Sequence, residues 1–380
     1  MKPVIIVGAG FFGSVVAERI AEDLKLPVTV IDRRNHIGGN CWSEIDPETG
    51  VEYHKYGSHI FHTSDVTVWE YVNRFDTFNE YRHSVWTTYQ GEVYTLQLNM
   101  STINQFYHTA LSPQEAEKFI CAEAAKEHIT NPQNLEEKAV SLIGRKLYEA
   151  FFRGYTIKQW EKSPTELAAD IITRLPIRYN YNHRYFSDKF EGIPLAGYGT
   201  MLKKILSNPL ISVKTNCDWR EFKKELGTNA IVIYTGAIDE FFDYALGTLE
   251  WRTVDFEIER FHYSDYQGTT VINYADEKVP FTRIHEFKHY HPERPDTGKT
   301  IIFKEYSRFA GRGDEPYYPV LTEKNKKLYS NYKIMAEQQY PNLFFGGRLG
   351  LYKYLDMDDT VFMALEFYQK LKQDIVNGRF

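Results

Sequence analysis

The stretch VIIVGAGFFG, residues 4–13, joins a short apolar run to the pattern Gly-x-Gly-x-x-Gly and opens a helical pattern. A second apolar run, residues 28–31, follows and places Asp32 at its end. A strand, a glycine turn, a helix, a second strand and an acidic residue within about 30 residues are the parts of a dinucleotide-binding unit. The sequence therefore predicts an α/β chain with a Rossmann-like domain at its start.

Each glycine of this pattern has a separate task. Gly8 permits the tight turn, Gly10 lets the backbone approach a pyrophosphate, and Gly13 lets the helix pack closely on the strand. The N–H groups and the dipole at the start of the helix favour the charge of a pyrophosphate. Asp32 is placed to accept hydrogen bonds from ribose hydroxyls. A chance glycine turn is the competing interpretation, and the strand and helix patterns around it disfavour that interpretation.

The residues after Asp32 narrow the choice of cofactor. They read Arg33-Arg34-Asn35-His36-Ile37-Gly38-Gly39-Asn40. This segment resembles the continuation found in FAD-dependent, amine-oxidase-like flavoproteins, in which paired glycines bring the backbone against the cofactor. A simple glycine loop fits the same spacing. In tandem with the first glycine pattern, however, the segment favours FAD over NAD.

The composition excludes some classes of protein. The 380 residues carry a net charge of −6, which argues against a nucleic-acid binder or a protein of anionic membrane surfaces. The three cysteines, Cys41, Cys121 and Cys217, form no Cys-x-x-Cys pair and suit a reducing cytoplasm. No signal peptide precedes the first strand, and no apolar stretch approaches the roughly 18 residues of a membrane span. We therefore expect a cytoplasmic protein without membrane insertion.

Periodicity outlines the middle of the chain. Residues 85–98 alternate in polarity and predict a hairpin around Gln90-Gly91. Ser112 and Pro113 predict the N-cap and first residue of a helix. Helical spacing continues over residues 135–152, and Gly154 is expected to end that helix.

The later segments complete the expected domain organisation. Residues 230–236 predict a parallel strand that meets the cofactor, residues 253–308 an antiparallel sheet, and residues 356–377 a final helix. The expected domains are an FAD-binding, Rossmann-like domain of discontinuous segments (1–78, 195–240 and 338–380), a mainly helical domain with a mobile lid (100–180), and an antiparallel sheet domain for the substrate (79–99, 181–194 and 241–337).

Several unusual strings run the length of the chain. They are Tyr56-Gly57-Ser58-His59-Ile60-Phe61-His62, Phe151-Phe152-Arg153-Gly154-Tyr155-Thr156-Ile157-Lys158-Gln159-Trp160, Arg174-Leu175-Pro176-Ile177-Arg178, Pro280-Phe281-Thr282-Arg283-Ile284, Glu315-Pro316-Tyr317-Tyr318-Pro319 and Gly347-Arg348-Leu349-Gly350-Leu351-Tyr352-Lys353-Tyr354-Leu355-Asp356-Met357-Asp358. Together they resemble the bacterial UDP-galactopyranose mutases over essentially the whole chain. These strings are far more specific than the glycine pattern alone.

The resemblance implies roles for individual residues. Arg174 and Arg283 would clamp the diphosphate of the substrate, and a guanidinium suits this task because its planar fork binds phosphate oxygens bidentately. The catalytic set that it implies is Arg174, Arg283, His59 and His62. The substrate-binding set is Phe151, Phe152, Tyr155, Thr156, Trp160, Tyr185, Asn273, Tyr318 and Tyr354. The cofactor-binding set is Gly8, Gly10, Phe11, Phe12, Gly13, Asp32, Arg33, Gly39, Asn40, His59, Arg348, Tyr354, Asp356 and Met357.

Within these sets the resemblance places groups around two ligands. Tyr155 would stack on uracil, three other phenols would donate to the phosphates, and the two histidines would lie against the flavin. The segment around Arg174 would be a lid that closes over the substrate. Taken singly, Arg174 is more typical of a solvated surface residue and Asp356 of a helix N-cap. No metal is expected, because His59 and His62 have no further ligand cluster with metal spacing.

The resemblance also implies a reaction, the reversible ring contraction of UDP-galactopyranose to UDP-galactofuranose by an isomerase. In the family, N5 of reduced FAD attacks the anomeric carbon and forms a covalent flavin–sugar adduct while UDP is displaced. An electron donor must keep the FAD reduced, the product would serve cell-surface polysaccharide synthesis, and a homodimer is expected.

Because of four departures from the family pattern, the sequence does not fix the identity of the substrate sugar. They are Gln97, Glu161, Ala237 and Phe287. The alternatives are a mutase for UDP-N-acetylgalactosamine or a deoxy-sugar nucleotide, and, from another class, an amine-oxidase-like flavin oxidoreductase. A non-catalytic nucleotide-sugar binder is disfavoured by the intact flavin patterns.

Overall fold

The structure is a computed structural model that describes residues 2–171, 177–225 and 230–379. Its strands are β1 (Val4–Val7), β2 (Val28–Ile31), β3 (Ser43–Ile45), β4 (Glu52–His54), β5 (Phe61–Thr63), β6 (Trp86–Tyr89), β7 (Glu92–Thr95), β8 (Phe190–Gly192), β9 (Ile211–Lys214), β10 (Ile231–Tyr234), β11 (Trp251–Phe261), β12 (Val271–Tyr274), β13 (Arg283–Glu286), β14 (Thr300–Phe309), β15 (Tyr318–Pro319) and β16 (Leu343–Phe345). Its helices are α1 (Phe11–Asp23), α2 (Val66–Asn73), α3 (Met100–Tyr107), α4 (Pro113–Ala125), α5 (Leu135–Tyr148), α6 (Gly154–Trp160), α7 (Tyr198–Ile205), α8 (Trp219–Glu225), α9 (Ile238–Phe241), α10 (Glu323–Gln339), α11 (Gly347–Gly350) and α12 (Met357–Val376).

A five-stranded parallel sheet forms the Rossmann-like part of the molecule. Its strand order is β16-β10-β1-β2-β9, with β1 at the centre. All four residues of β1 are buried, as expected for a strand that is covered on both faces of a parallel sheet. The strands come from the start, the middle and the end of the chain, and the α/β fold class predicted from the glycine pattern is confirmed.

A seven-stranded sheet lies apart from the first one, in the order β15-β11-β14-β13-β12-β6-β7. Its neighbours are antiparallel except for β12 and β6, which run parallel. The predicted hairpin is confirmed as β6 and β7. Gln90 and Gly91 both have positive φ (51° and 83°), the combination that a two-residue hairpin turn with the right twist requires.

A helical region packs on the edge of this sheet. Its core contains Ile103, Ile120, Ile143, Leu147 and Phe151, all buried. Helix α4 begins as predicted, with Ser112 as N-cap in a capping box and a proline in the first turn. The predicted end of the next helix at Gly154 is wrong. A π-helical turn, Glu149–Arg153, joins α5 to α6, and Gly154 has helical angles (φ −66°, ψ −38°) at the start of α6.

The reason for Gly154 lies elsewhere in the fold. A Cβ on this residue would lie 2.1 Å from the carbonyl oxygen of Ala275. The glycine is therefore needed because α6 approaches the backbone after β12 closely, and not because the helix ends there.

The C-terminal helix covers the parallel sheet. Helix α12 buries Val361, Ala364, Tyr368 and Leu371, and it packs on α1. The spacing of three and four residues makes one apolar stripe that faces the core. Within the described ranges, none of the helices combines the length and the apolar character that a bilayer span requires.

Candidate active site

A cleft opens at the carboxyl ends of the parallel strands, where α/β folds bind their ligands. It is bounded by the turn after β1, the end of β2, the turn after β10 and the start of α11. Of the cofactor-binding residues predicted from the sequence, twelve line it: Gly8, Gly10, Phe11, Phe12, Gly13, Asp32, Arg33, Gly39, Asn40, His59, Arg348 and Met357. The remaining two, Tyr354 and Asp356, are not part of its lining.

The glycine turn shapes one wall of this cleft. A Cβ at Gly13 would lie 2.1 Å from the carbonyl oxygen of Gly8, so any side chain there would force the helix off the strand. A Cβ at Gly10, in contrast, has no atom within 4 Å. Gly10 is also the N-cap of α1 and no side chain caps that helix end. The first N–H groups of α1 are therefore left for an anionic ligand, as a bound pyrophosphate requires.

Asp32 is held rigidly at the end of β2. The Ala9 N–H donates to Oδ2 and the Arg34 N–H donates to Oδ1, both at 2.9 Å. Each carboxylate oxygen keeps a lone pair, so the group can accept from two ribose hydroxyls. The local strand–turn–helix sequence thus delivers the acceptor that was predicted.

Sequence reasoning missed part of the cleft wall. Arg34 donates to Oδ1 of Asn40 (2.7 Å) and to Oε2 of Glu315 (2.6 Å). Among the described residues, its Nη1 atom is buried without a hydrogen-bond partner. A buried, unsatisfied donor beside the cleft is what a ligand phosphate or ribose oxygen would satisfy. Glu315 belongs to one of the strings noted in the sequence, but only the fold brings it to Arg34.

Together these features fit a bound FAD. The open backbone at Gly10, the uncapped helix start, the carboxylate at Asp32 and the unsatisfied donor of Arg34 supply the contacts that an adenine dinucleotide needs. Arg348 closes the far side. Its Nε and Nη2 donate to the carbonyl oxygen of Leu355 (3.1 and 2.5 Å), which fixes the guanidinium 5.1 Å from the ring centre of Tyr354.

A second cluster is centred on Arg283, at the start of β13. Its Nη2 donates to the phenol oxygen of Tyr155 on α6 (2.8 Å), and its Nε forms an ion pair with Oε1 of Glu305 on β14 (3.0 Å). Burial lowers the pKa of Arg283, but the attraction of Glu305 and the nearby phenols outweighs burial and raises it overall. The guanidinium is therefore a permanent, oriented charge that is one-quarter exposed.

Glu305 is held in turn by a histidine. Nε2 of His285 lies 3.0 Å from Oε2 of Glu305, and Nδ1 lies 2.6 Å from the hydroxyl of Ser58. Since a carboxylate only accepts, Nε2 carries the proton and Nδ1 accepts from Ser58. Burial lowers the pKa of His285 despite its carboxylate partner, so the ring is neutral at pH 7. No local signal in the sequence predicted this chain of contacts.

Three predicted tyrosines stand beside Arg283. Tyr155, Tyr185 and Tyr318 each act electrostatically on its guanidinium. Tyr318 also stacks on Tyr354, with ring centres 5.8 Å apart. Three phenols thus lie near one cationic group, and phenol hydroxyls are donors that a diphosphate would use.

The residues predicted to bind the base do not all line one pocket. Asn273 on β12 is paired with Arg283 in the sheet and is 6% exposed, and among the described residues its amide oxygen is buried without a partner. Thr156 is buried on α6, Phe152 lies partly buried against the helical core, and Trp160 ends α6. Phe151 packs inside that core, with its ring centre 5.0 Å from that of Tyr94, so its ring contributes to the packing that supports the helix.

The two predicted histidines have different surroundings. Burial lowers the pKa of His59, which lines the cofactor cleft, to about 4. His62 stacks on Phe186 at 3.6 Å and its Nδ1 lies 2.9 Å from Oδ2 of Asp188. Although no ligand cluster was expected, His62, Asp356 and Asp358 offer ligand atoms within 4.8 Å of one another. The prediction that no metal binds stays a prediction.

Two further points concern predicted residues. Arg174 lies outside the described residues, and so does the centre of the predicted lid.

Glu161, one of the departures from the family pattern, accepts from the buried Arg252 and from the N–H of Phe309, both at 2.8 Å. Its carboxylate therefore ties the end of α6 to the sheet.

Comparisons with known proteins agree on one family. The model of the family described as UDP-galactopyranose mutase matches residues 150–354, and that of an NAD(P)-binding Rossmann-like domain matches residues 6–75. A probable UDP-galactopyranose mutase of Klebsiella pneumoniae is 45% identical over 99% of this chain and 96% of its own length. A dTDP-fucopyranose mutase of Escherichia coli is 42% identical over 97% of this chain and 98% of its own length.

Solved structures show the same fold. The crystal structure of a reduced UDP-galactopyranose mutase covers all of this chain and 94% of its own, with a TM-score of 0.74 at 15% identity. A putative protoporphyrinogen oxidase from Exiguobacterium has a TM-score of 0.62 at 11% identity, with 98% of this chain and 99% of its own covered. The oxidase shares only the architecture, whereas the family match and the two mutases share the sequence along most of the chain. The chain therefore belongs to the UDP-galactopyranose mutase family of isomerases.

Proposed function

We propose that this protein is a flavin-dependent mutase that interconverts the pyranose and furanose forms of a nucleoside diphosphate sugar, with UDP-galactose as the substrate. One observation carries the proposal: the oriented, permanently charged Arg283, with phenols around it, lies in a fold that also has a dinucleotide cleft. A diphosphate needs such a cation both when it is attached to the sugar and when it is the leaving group.

The protein's own residues have three tasks in this reaction. Arg283 and the phenols of Tyr185, Tyr318 and Tyr354 would hold the diphosphate, so that the departing group stays in place for reattachment, and Tyr155 would stack on the base. Glu305 keeps the guanidinium turned toward Tyr155, and the neutral His285 keeps Glu305 turned toward Arg283. Arg174 would supply a second guanidinium.

The cofactor would supply the nucleophile. Reduced FAD, when bound, offers the electron-rich N5 nitrogen that the family uses at the anomeric carbon. Gly10, Asp32, Arg34 and Arg348 are the residues that would hold it. The ring contraction exchanges the oxygen that closes the sugar ring and has no net redox change, so an electron donor is needed only to prepare the flavin.

A second substrate is supported by one of the relatives. The Escherichia coli protein named dTDP-fucopyranose mutase is almost as similar to this chain as the Klebsiella pneumoniae protein. dTDP-fucopyranose has the same diphosphate handle but a different base and a sugar without the 6-hydroxyl. The contacts around Arg283 serve both substrates equally, so this site alone favours neither.

The test is an assay with both substrates. FAD-loaded enzyme, with and without dithionite, is given UDP-galactofuranose or dTDP-fucofuranose, and the pyranose product is separated by chromatography. We expect turnover only with dithionite and a higher kcat/KM for the UDP sugar. Higher kcat/KM for the dTDP sugar would reassign the substrate, and equal turnover by fully oxidised enzyme would refute the flavin role.

The diphosphate clamp is tested by Arg174→Ala and Arg283→Ala. Each variant should keep its FAD and lose at least tenfold in affinity for UDP, because a charge-assisted contact contributes about 1.5–3 kcal/mol. Arg283→Lys should restore only part of this affinity, since an ammonium lacks the planar fork. Wild-type affinity in both alanine variants would show that the clamp is assigned wrongly.

A further inference from the structure

A half-buried lysine ammonium lies on the helix that carries Tyr155, the hydrogen-bond partner of Arg283. Lys158 belongs to α6, one turn after Tyr155. Its Nζ atom lies within hydrogen-bond distance of four backbone carbonyl oxygens, those of Tyr274 (2.6 Å), Asp276 (2.9 Å), Val279 (3.0 Å) and Phe281 (3.0 Å). All four belong to residues 274–282, which end β12 and lead into β13 and which we call the β12–β13 connection.

The surroundings of this ammonium resemble those of a bound cation. A primary ammonium has three N–H donors, so the four carbonyl oxygens share them. Four carbonyl dipoles directed at one positive charge form the kind of oxygen cage that proteins use for monovalent metal ions. Burial lowers the pKa of Lys158 to about 8, against the attraction of Asp276 and Glu277, so the group is still mostly charged at pH 7.

Helix α6 and the residue before it contact this connection at two further points. Gly154 leaves no room for a Cβ beside the carbonyl oxygen of Ala275, and Arg153 forms an ion pair with Glu277. Both contacts lie in the first half of the connection. Lys158 also reaches its second half, because its long side chain contacts the carbonyl oxygens of Val279 and Phe281.

The two pieces that Lys158 joins carry the two sides of the proposed substrate site. Helix α6 carries Tyr155 and Thr156. The connection separates Asn273 on β12 from Arg283 on β13. The 2.8 Å hydrogen bond from Arg283 to Tyr155 spans the gap between the two pieces, so a shift of the connection relative to α6 would break it.

We propose that Lys158 is a positioning residue whose ammonium acts as an internal cation, holding the β12–β13 connection on α6 and thereby setting the distance between Tyr155 and Arg283. The proposal deepens the proposed function, on which it rests for its ligand, UDP. Lys158 makes no contact with the substrate in this scheme. Its effect on UDP passes through the geometry of Arg283.

The experiment measures UDP binding to oxidised, FAD-loaded enzyme by calorimetry. The variants are Lys158→Ala, Lys158→Gln and, as a control for the loss of one positive charge, Lys146→Met on the exposed face of α5. We expect the Kd for UDP to rise about tenfold or more in Lys158→Ala, less in Lys158→Gln, which keeps two donors, and not at all in Lys146→Met.

Rescue by a free cation distinguishes an internal cation from a general packing role. Lys158→Ala leaves the carbonyl cage empty, so potassium or methylammonium chloride should recover at least half of the lost affinity. Choline chloride at the same ionic strength should not, because its quaternary nitrogen has no N–H donor and is too large for the cage. Equal effects of the three salts would overturn the cation role.

Two other results would also overturn the proposal. One is an unchanged Kd in folded Lys158→Ala. If that variant does not fold, Lys158→Gln is used in its place, and a wild-type Kd for UDP in Lys158→Gln would likewise overturn the proposal. Failure of the wild-type enzyme to bind UDP would instead refute the proposed function, so the two failures are distinguishable.

Discussion

Glu305→Gln is the substitution that most directly tests the electrostatics of the site. The carboxylate interacts with Nε of Arg283 (3.0 Å), Nε2 of His285 (3.0 Å) and the hydroxyl of Thr282 (3.2 Å), and its side chain is only 5% exposed. Glutamine keeps the size and shape of the side chain but removes the charge. It also places an NH₂ group where one of the donors now points.

The magnitude follows from the pKa of the carboxyl group. Burial raises the pKa of Glu305, but Arg283 and His285 lower it more, and the result is about 2 against an ordinary value of 4.5. At about 1.36 kcal/mol per pH unit, this difference corresponds to roughly 3 kcal/mol of folding free energy at neutral pH. Because Arg283 is one-quarter exposed, solvent screens part of it, and we expect a loss of about 2 kcal/mol in Glu305→Gln.

The pH dependence of the free energy of unfolding measures the contribution of Glu305 a second time. A group whose pKa is lower in the folded state stabilises the protein above its unfolded pKa, and the contribution is lost as the pH falls through the folded pKa. The stabilisation by Glu305 should therefore be complete at pH 7, roughly 1 kcal/mol smaller at pH 4, and largely gone below pH 2. The difference between wild type and variant should shrink accordingly.

The assay is urea unfolding at pH 7 and pH 4, followed by circular dichroism, with UDP affinity measured in parallel. Glu257→Gln on the exposed part of β11 is the control, and we expect nearly unchanged unfolding for it. Loss of UDP affinity should accompany the loss of stability in Glu305→Gln, because Arg283 is no longer oriented. A variant as stable as wild type at pH 7, or a difference that does not change with pH, would refute the reasoning.

Four further outcomes are expected from the geometry. Gly13→Ala should prevent folding or flavin uptake, since its Cβ would meet a backbone oxygen at 2.1 Å. Gly10→Ala should keep its Tm and lose only FAD affinity, because the added Cβ meets no atom within 4 Å. Flavin absorbance and thermal melts check both variants. Asp32→Ala should weaken FAD binding at least tenfold, as a titration of the apoprotein would show, and unchanged affinity would remove this carboxylate from the site. Glu161→Ala should lower the free energy of unfolding by about 1–2 kcal/mol, because it leaves the buried Arg252 without its carboxylate, and an unchanged urea midpoint would contradict this.

Contiguous motifs made much of the cofactor side predictable. The strand, glycine turn, helix and acid lie within residues 4–32, and the pairing of β1 with β2 inside this one unit brings Asp32 to the turn at Ala9. The same holds for the hairpin at Gln90-Gly91 and for the capping box at Ser112. In each case the interacting groups are close along the chain, so their residue types specify the conformation with little help from the rest of the fold.

The resemblance to a family named the groups around the diphosphate, but the residues alone did not assemble them. Ser58, His285, Glu305, Arg283 and Tyr155 come from four separate parts of the chain and meet only through the register of β13 on β14 and the packing of α6. A side chain's neighbours across a sheet depend on strand pairing, which the local sequence does not encode.

Backbone groups explain the rest of what only the tertiary structure decided. Gly154 looked like a helix end, and its true reason is the carbonyl oxygen of Ala275 on another element. Lys158 has four carbonyl oxygens as its partners. Every residue has a carbonyl group, so no residue type in the sequence marks such partners, and only the path of the chain in space reveals them.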